Sequence, residues 1–222
     1  IPSSVISGSG SYTVDILTPE YWSAGLPTSS STVSIQLDEG SKTPYAISSG
    51  EVNLEHLKVE SKDFYLRSDY PLIFNSETSS VVTCSTSYGL KIETPAIFNA
   101  NVIYNSSASL RWLKPFTAYG DFDLTENSGR KVLTVVGARG SEVKGVLKGT
   151  YNSASSANTP GVSVVVASSC QIANMAQVSF NDVSSFGGSY WLTFGGINLS
   201  CAANSEDVIP SLPSEGKVLH FD

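Results

Sequence analysis

Charge is scarce in this sequence. Only 15% of its residues are Asp, Glu, Lys or Arg, against about a quarter in ordinary soluble domains. Ser, Thr, Asn and Gly take their place, which gives the neutral, hydroxyl-rich surface expected outside a cell or in a virion. The net charge is −7 and no run of four Lys/Arg occurs, so the footprint of a nucleic-acid or anionic-membrane binder is missing. No apolar run approaches the ~18 residues needed to span a bilayer, and we expect no membrane insertion. The chain opens on Ile1, which reads as a processed form or a piece of a longer polypeptide.

Cysteine and histidine are equally scarce. Cys84, Cys170 and Cys201 lie far apart without a Cys-x-x-Cys pair, so a zinc site is not expected. Three buried thiols are one reading; a Cys170–Cys201 disulfide is the other. The two histidines are His56 and His220. Neither comes with a Gly-x-Ser-x-Gly elbow or the setting of a Ser-His-Asp triad. Phosphate- and dinucleotide-binding fingerprints are absent, and no cofactor is expected.

Helix signals are nearly absent as well. What fills the chain is short alternating runs such as "STVSIQL", "SVVTCST" and "NVIYN", rich in Val, Ile, Thr, Tyr and Phe and separated by Gly, Asn, Ser or Pro. That is an all-β pattern. We divide it into an N-terminal β segment (1–50), a repeat-containing shaft-like segment (51–110), and a compact C-terminal β domain with a polar tail (111–222).

The repeats are "HLKVESKDFYL" (56–66), "YLRSDYPLIFN" (65–75) and "GLKIETPAIFN" (89–99). Aligned on Leu57, Leu66 and Leu90, each has a base next (Lys58, Arg67, Lys91) and an acid two residues later (Glu60, Asp69, Glu93). Alternation places Leu90, Ile92 and Thr94 on one face and Lys91 and Glu93 on the other. Charges on the outer face can pair with neighbouring strands. Pro71 and Pro95 lack a ladder donor and mark strand edges or corners. Such a unit buries its apolar face only by stacking. The expected fold is an elongated stack of short strands, a single-chain β-solenoid or an interwoven trimer.

Two segments resemble a known family. "GLKIETPAIFNANVIYNSSASLRW" resembles shaft segments of bacteriophage tail-fibre and spike proteins. "DLTENSGRKVLTVVGARGSEVKGVLKG" resembles small β modules along the long tail fibres of contractile-tailed phages, through Gly129-Arg130, Val132 to Val136 and Lys144-Gly145-Val146. The likeness spans about residues 50–150. It implies a trimeric, non-catalytic, all-β virion protein that takes part in host attachment, with other virion proteins and a host surface glycan as partners. The competing readings are a capsid, surface-layer or secreted filament subunit with a sandwich or jelly-roll core, and a polysaccharide-degrading spike domain.

Two segments hold candidate site residues. In "SFGGSYWLTFGG" the candidate glycan contacts are Tyr190, Trp191 and Phe194, although Trp191 falls on the opposite strand face from the other two. In "GDFDLTEN", Asp121 and Asp123 would lie about 6–7 Å apart on one strand face, a spacing that a glycosidase carboxylate pair allows. Acids beside Gly and Asn more often mark a solvated turn. A calcium loop fails, because Thr125 and Glu126 take the third-ligand and glycine places. Asn105 and Asn198 head formal glycosylation sequons.

Overall fold

The computed structural model describes residues 10–36, 42–60, 65–84, 90–106, 110–125, 131–136, 139–149, 162–167, 177–183, 185, 189–193, 196–199 and 219–221. Within them the chain is a β-solenoid of parallel strands on three faces, with one short 3-10 turn (Pro19–Tyr21) and no α-helix. Face A stacks β1 (Gly10–Asp15), β3 (Lys42–Ile47), β6 (Tyr65–Arg67), β9 (Leu90–Glu93), β12 (Leu110–Trp112), β15 (Lys131–Val136), β17 (Val162–Ala167), β19 (Ser189–Thr193) and β21 (Leu219–Phe221). Face B stacks β2 (Thr32–Ile35), β5 (His56–Val59), β8 (Ser79–Cys84), β11 (Asn101–Asn105) and β14 (Phe122–Asp123). Face C stacks β4 (Val52–Leu54), β7 (Leu72–Phe74), β10 (Ala96–Phe98), β13 (Phe116–Ala118), β18 (Gln177–Asp182) and β20 (Gly196–Leu199). The long strand β16 (Arg139–Lys148) joins C to B, pairing with β13 and β18 near its start and with β14 at its end.

From β3 to β16 one chain therefore supplies all three faces of each rung, which is the solenoid rather than the interwoven arrangement. Every pairing among the described strands is parallel, whereas a sandwich or jelly roll is built from antiparallel pairs. The boundary drawn at residue 110 leaves no break in the ladder, because β12 pairs with β9 on one side and β15 on the other.

The core is a set of columns, one residue per rung. Val52, Leu72, Ala96 and Phe116 lie side by side, as do Leu54, Phe74, Phe98 and Ala118. Small Ala stands next to large Phe in both columns, so volumes interlock. Alternation follows the sequence reading: Leu90, Ile92 and Thr94 are buried, and Lys91 and Glu93 half-buried. The repeat alignment needs correction. Leu57 lies on face B opposite Val82, and Leu66 on face A opposite Ile92 rather than Leu90. The corner after β9 is two residues shorter than the one after β6. A two-residue shift keeps every side chain on its face, so the core tolerates it. The downstream half of the alignment holds, since Leu72-Ile73-Phe74 registers with Ala96-Ile97-Phe98.

Corners satisfy the backbone where strands end. Between faces A and C, the carbonyls of Pro71, Pro95 and Pro115 accept the N–H groups of Val52, Leu72 and Ala96 at 3.1, 2.9 and 3.1 Å. These three prolines are at corners, where a missing donor costs no ladder bond. Between C and B, Asn101 Oδ1 accepts from the Asp121 N–H at 2.9 Å, and Asp121 Oδ1 accepts from the Val146 N–H at 2.9 Å. At the first rung, Leu17, Tyr21 and Trp22 pack against the core, and the Trp22 indole donates to the Ile16 carbonyl at 2.6 Å.

Among the described residues, one buried side-chain polar atom has no partner. Ser80 is fully buried on face B beside Val102, and its hydroxyl makes no hydrogen bond. An unmet buried hydroxyl costs about 1 kcal/mol or more. Ser80→Ala is therefore expected to raise stability by about 1 kcal/mol, read as a higher urea midpoint at unchanged slope.

Candidate functional site

The A–C corners differ in length, and that difference shapes the surface. Residues 48–51 and 68–71 form four-residue corners, 94–95 a two-residue corner and 113–115 a three-residue corner. The short corner is recessed between longer neighbours. A groove of about 460 Å³ results, lined by Ser48, Arg67, Ser68, Tyr70, Glu93 and Lys114, with Asp69 at its rim. Its floor is fixed by hydrogen bonds: Ser68 Oγ donates to the Ser48 carbonyl at 2.9 Å, the Tyr70 N–H to Ser68 Oγ at 2.9 Å, and Thr94 Oγ1 to the Tyr70 carbonyl at 2.6 Å.

Two ion pairs frame it. Arg67 Nε meets Glu93 Oε2 on adjacent rungs. Lys114 Nζ meets Asp69 Oδ1 at 3.0 Å, reaching over the short rung between them. Asp69 is 91% exposed, so this pair is screened by water and contributes little to stability. Tyr70 is 51% exposed, one of three large apolar side chains standing open among the described residues, with Leu26 and Tyr119. Tyr119 is on the other corner, where Lys144 Nζ sits 4.2 Å from its ring centroid.

The residues singled out in sequence fall elsewhere. Tyr190 and Trp191 are in β19; Tyr190 registers with Val164 and Leu219, and Trp191 with Val165 and His220. Phe194 lies outside the described residues, as do Cys170 and Cys201. Cys84 is buried on face B. His56 Nδ1 accepts from the Val81 N–H at 3.1 Å, and its Nε2 is 3.6 Å from Glu55. Asn105 and Asn198 belong to strands β11 and β20.

Asp121 and Asp123 are engaged in the fold. Asp123 Oδ1 accepts from both the N–H and the hydroxyl of Thr125, closing a turn. Asp121 Oδ2 is 2.6 Å from Lys148 Nζ. That bond to Lys148 holds the Asp121 carboxyl below its usual value; partial burial opposes the shift and the Val146 N–H reinforces it. The same bond holds Lys148 above its usual value. A depressed carboxyl stabilises the fold above its unfolded-state pKa and loses that contribution as pH falls through the folded value. Asp121→Asn should therefore lower the melting temperature at pH 7, and the gap to the parent chain should close below about pH 4. A gap independent of pH would contradict this ion pair.

Among the described residues, no group of three or more His, Cys, Asp or Glu is placed to hold a metal, and no helix is long and apolar enough to cross a membrane. No protein-family model matches the chain, and searches of curated proteins and of solved structures find no match either.

The groove was missed in sequence because it arises between rungs. The one available signal was the spacing of the two "IFN" triplets against their leading leucines, which hides the difference in corner length. Arg67 and Glu93 were visible as repeat charges, but the alignment set Glu93 opposite Asp69.

Proposed function

We propose that the chain is a structural segment of a virion or extracellular appendage, a rod of the bacteriophage fibre or spike type that takes part in host attachment. The observation that carries this reading is the unbroken parallel ladder of nine strands on face A. Such a stack is stiff along its axis and presents side chains at the ~4.8 Å rung spacing. It suits positioning and recognition rather than turnover. In this reading three rods associate side by side and join other virion proteins. Ile73 and Ile97 on face C, and Val81 and Ile103 on face B, give half-buried apolar positions on the outward side for that packing.

Light scattering after size exclusion tests it. A mass near three times 23.5 kDa with an elongated radius supports the appendage. An elongated monomer keeps the rod and removes the trimer. A compact hydrodynamic radius contradicts the rod itself.

A further inference from the structure

We propose that the recessed A–C corner is a binding subsite for a neutral pyranose unit, with Tyr70 as its platform. This deepens the attachment reading and rests on it. The groove's volume, about 460 Å³, falls within the range of about 300–1,000 Å³ of small-ligand sites. Its charges balance, with Arg67 and Lys114 against Glu93 and Asp69. An anionic or cationic ligand would therefore meet an opposing charge for each attraction. A polyhydroxyl ligand meets no such conflict, because each hydroxyl both donates and accepts. Carboxylates of Asp69 and Glu93 suit neighbouring sugar hydroxyls as acceptors, and Arg67 and Lys114 supply donors.

The aromatic side chain sets the class further. Half of Tyr70 is open to solvent at the groove, while its backbone N–H and carbonyl are both held by hydrogen bonds. A ring anchored in this way offers an apolar face at little entropic cost, and the C–H face of a pyranose is its natural partner. The Lys114–Asp69 pair is exposed and weak, so a ligand can loosen it without unfolding the corner.

The test is an NMR shift titration of the full chain with D-glucose, D-galactose, N-acetyl-D-glucosamine, L-rhamnose, maltose, cellobiose and lactose, with D-glucuronate alongside. At least one neutral sugar should bind with a Kd on the order of 1 mM. Tyr70→Ala should weaken that binding about tenfold, Tyr70→Phe should retain it, and Tyr119→Ala on the other corner should leave it unchanged. Circular-dichroism melts of all three variants check that the fold persists. No shift with any neutral sugar overturns the proposal. So does preference for glucuronate, or binding indifferent to Tyr70→Ala. Shape is measured separately, so a rod without sugar binding removes only the groove, and sugar binding by a compact particle removes only the rod.

Discussion

Replacing Phe98 by alanine is expected to destabilise the protein by about 4 kcal/mol, the largest single-residue loss in the described core. Phe98 is fully buried on face C and stacks on Phe74 with ring centroids 4.3 Å apart and planes 21° from parallel. It also meets Trp112 of face A edge-on at 5.7 Å and Phe122 of face B at 6.3 Å. One ring thus ties the three faces together. The surrounding walls are hydrogen-bonded rungs, which cannot collapse into the space, so the cavity cost adds to the lost transfer energy. Phe98→Leu keeps most of the volume and should cost about 1.5 kcal/mol. Urea unfolding of both variants checks the order. A loss below about 1 kcal/mol for the alanine variant would mean that the ring is not central.

The second large effect is expected from a methyl group added at a corner. Gly145→Ala should cost about 3 kcal/mol. A Cβ there would stand 2.4 Å from the carbonyl carbon of Gly120 and 2.6 Å from the Asp121 nitrogen. Those are backbone atoms of the rung below and cannot step aside. Relief requires prying the rungs apart, which weakens the Gly145 N–H to Gly120 carbonyl bond (3.2 Å) and the Val146 N–H to Asp121 bond (2.9 Å). Gly120 is stacked in the same way on Asn101, whose backbone nitrogen would lie 2.6 Å from an added Cβ. Thermal melts of Gly145→Ala and Gly120→Ala should show losses of similar size. A neutral result at both would contradict the close stacking of the C–B corners.

How far the sequence went can be traced to particular residues. Alternation in "LKIET" gave the inward and outward sets correctly, because the period of two is a local property of a strand. Pro71 and Pro95 were placed at strand edges or corners for a local reason too, the missing donor. Register is not local. Leu66 meets Ile92 because a corner more than 20 residues later is two residues shorter, and no periodicity within either segment encodes that. Leu57 was grouped with Leu66 on composition, whereas Leu57 lies on face B and Leu66 on face A. The functional groups suffered in the same way. Asp121 read as part of a solvated turn, yet its carboxylate bridges rungs through Val146 and Lys148. Trp112 was visible only as an apolar residue. Its buried indole N–H finds the Thr94 carbonyl at 3.1 Å, a partner on the preceding rung.

The central claim is that one chain stacks upon itself, in register, to form the solenoid. A disulfide between adjacent rungs tests it most directly. Ile73 and Ile97 are register partners on the outward side of face C, and neighbouring strands lie about 4.8 Å apart, within disulfide reach. The double variant Ile73→Cys, Ile97→Cys, oxidised in dilute solution, should give a chain that runs as a monomer on non-reducing gels. Mass spectrometry of its digest should show residues 73 and 97 linked. Absence of a 73–97 link within one chain, whether the cysteines stay free or join only to other chains, would contradict the in-register stacking of the chain on itself.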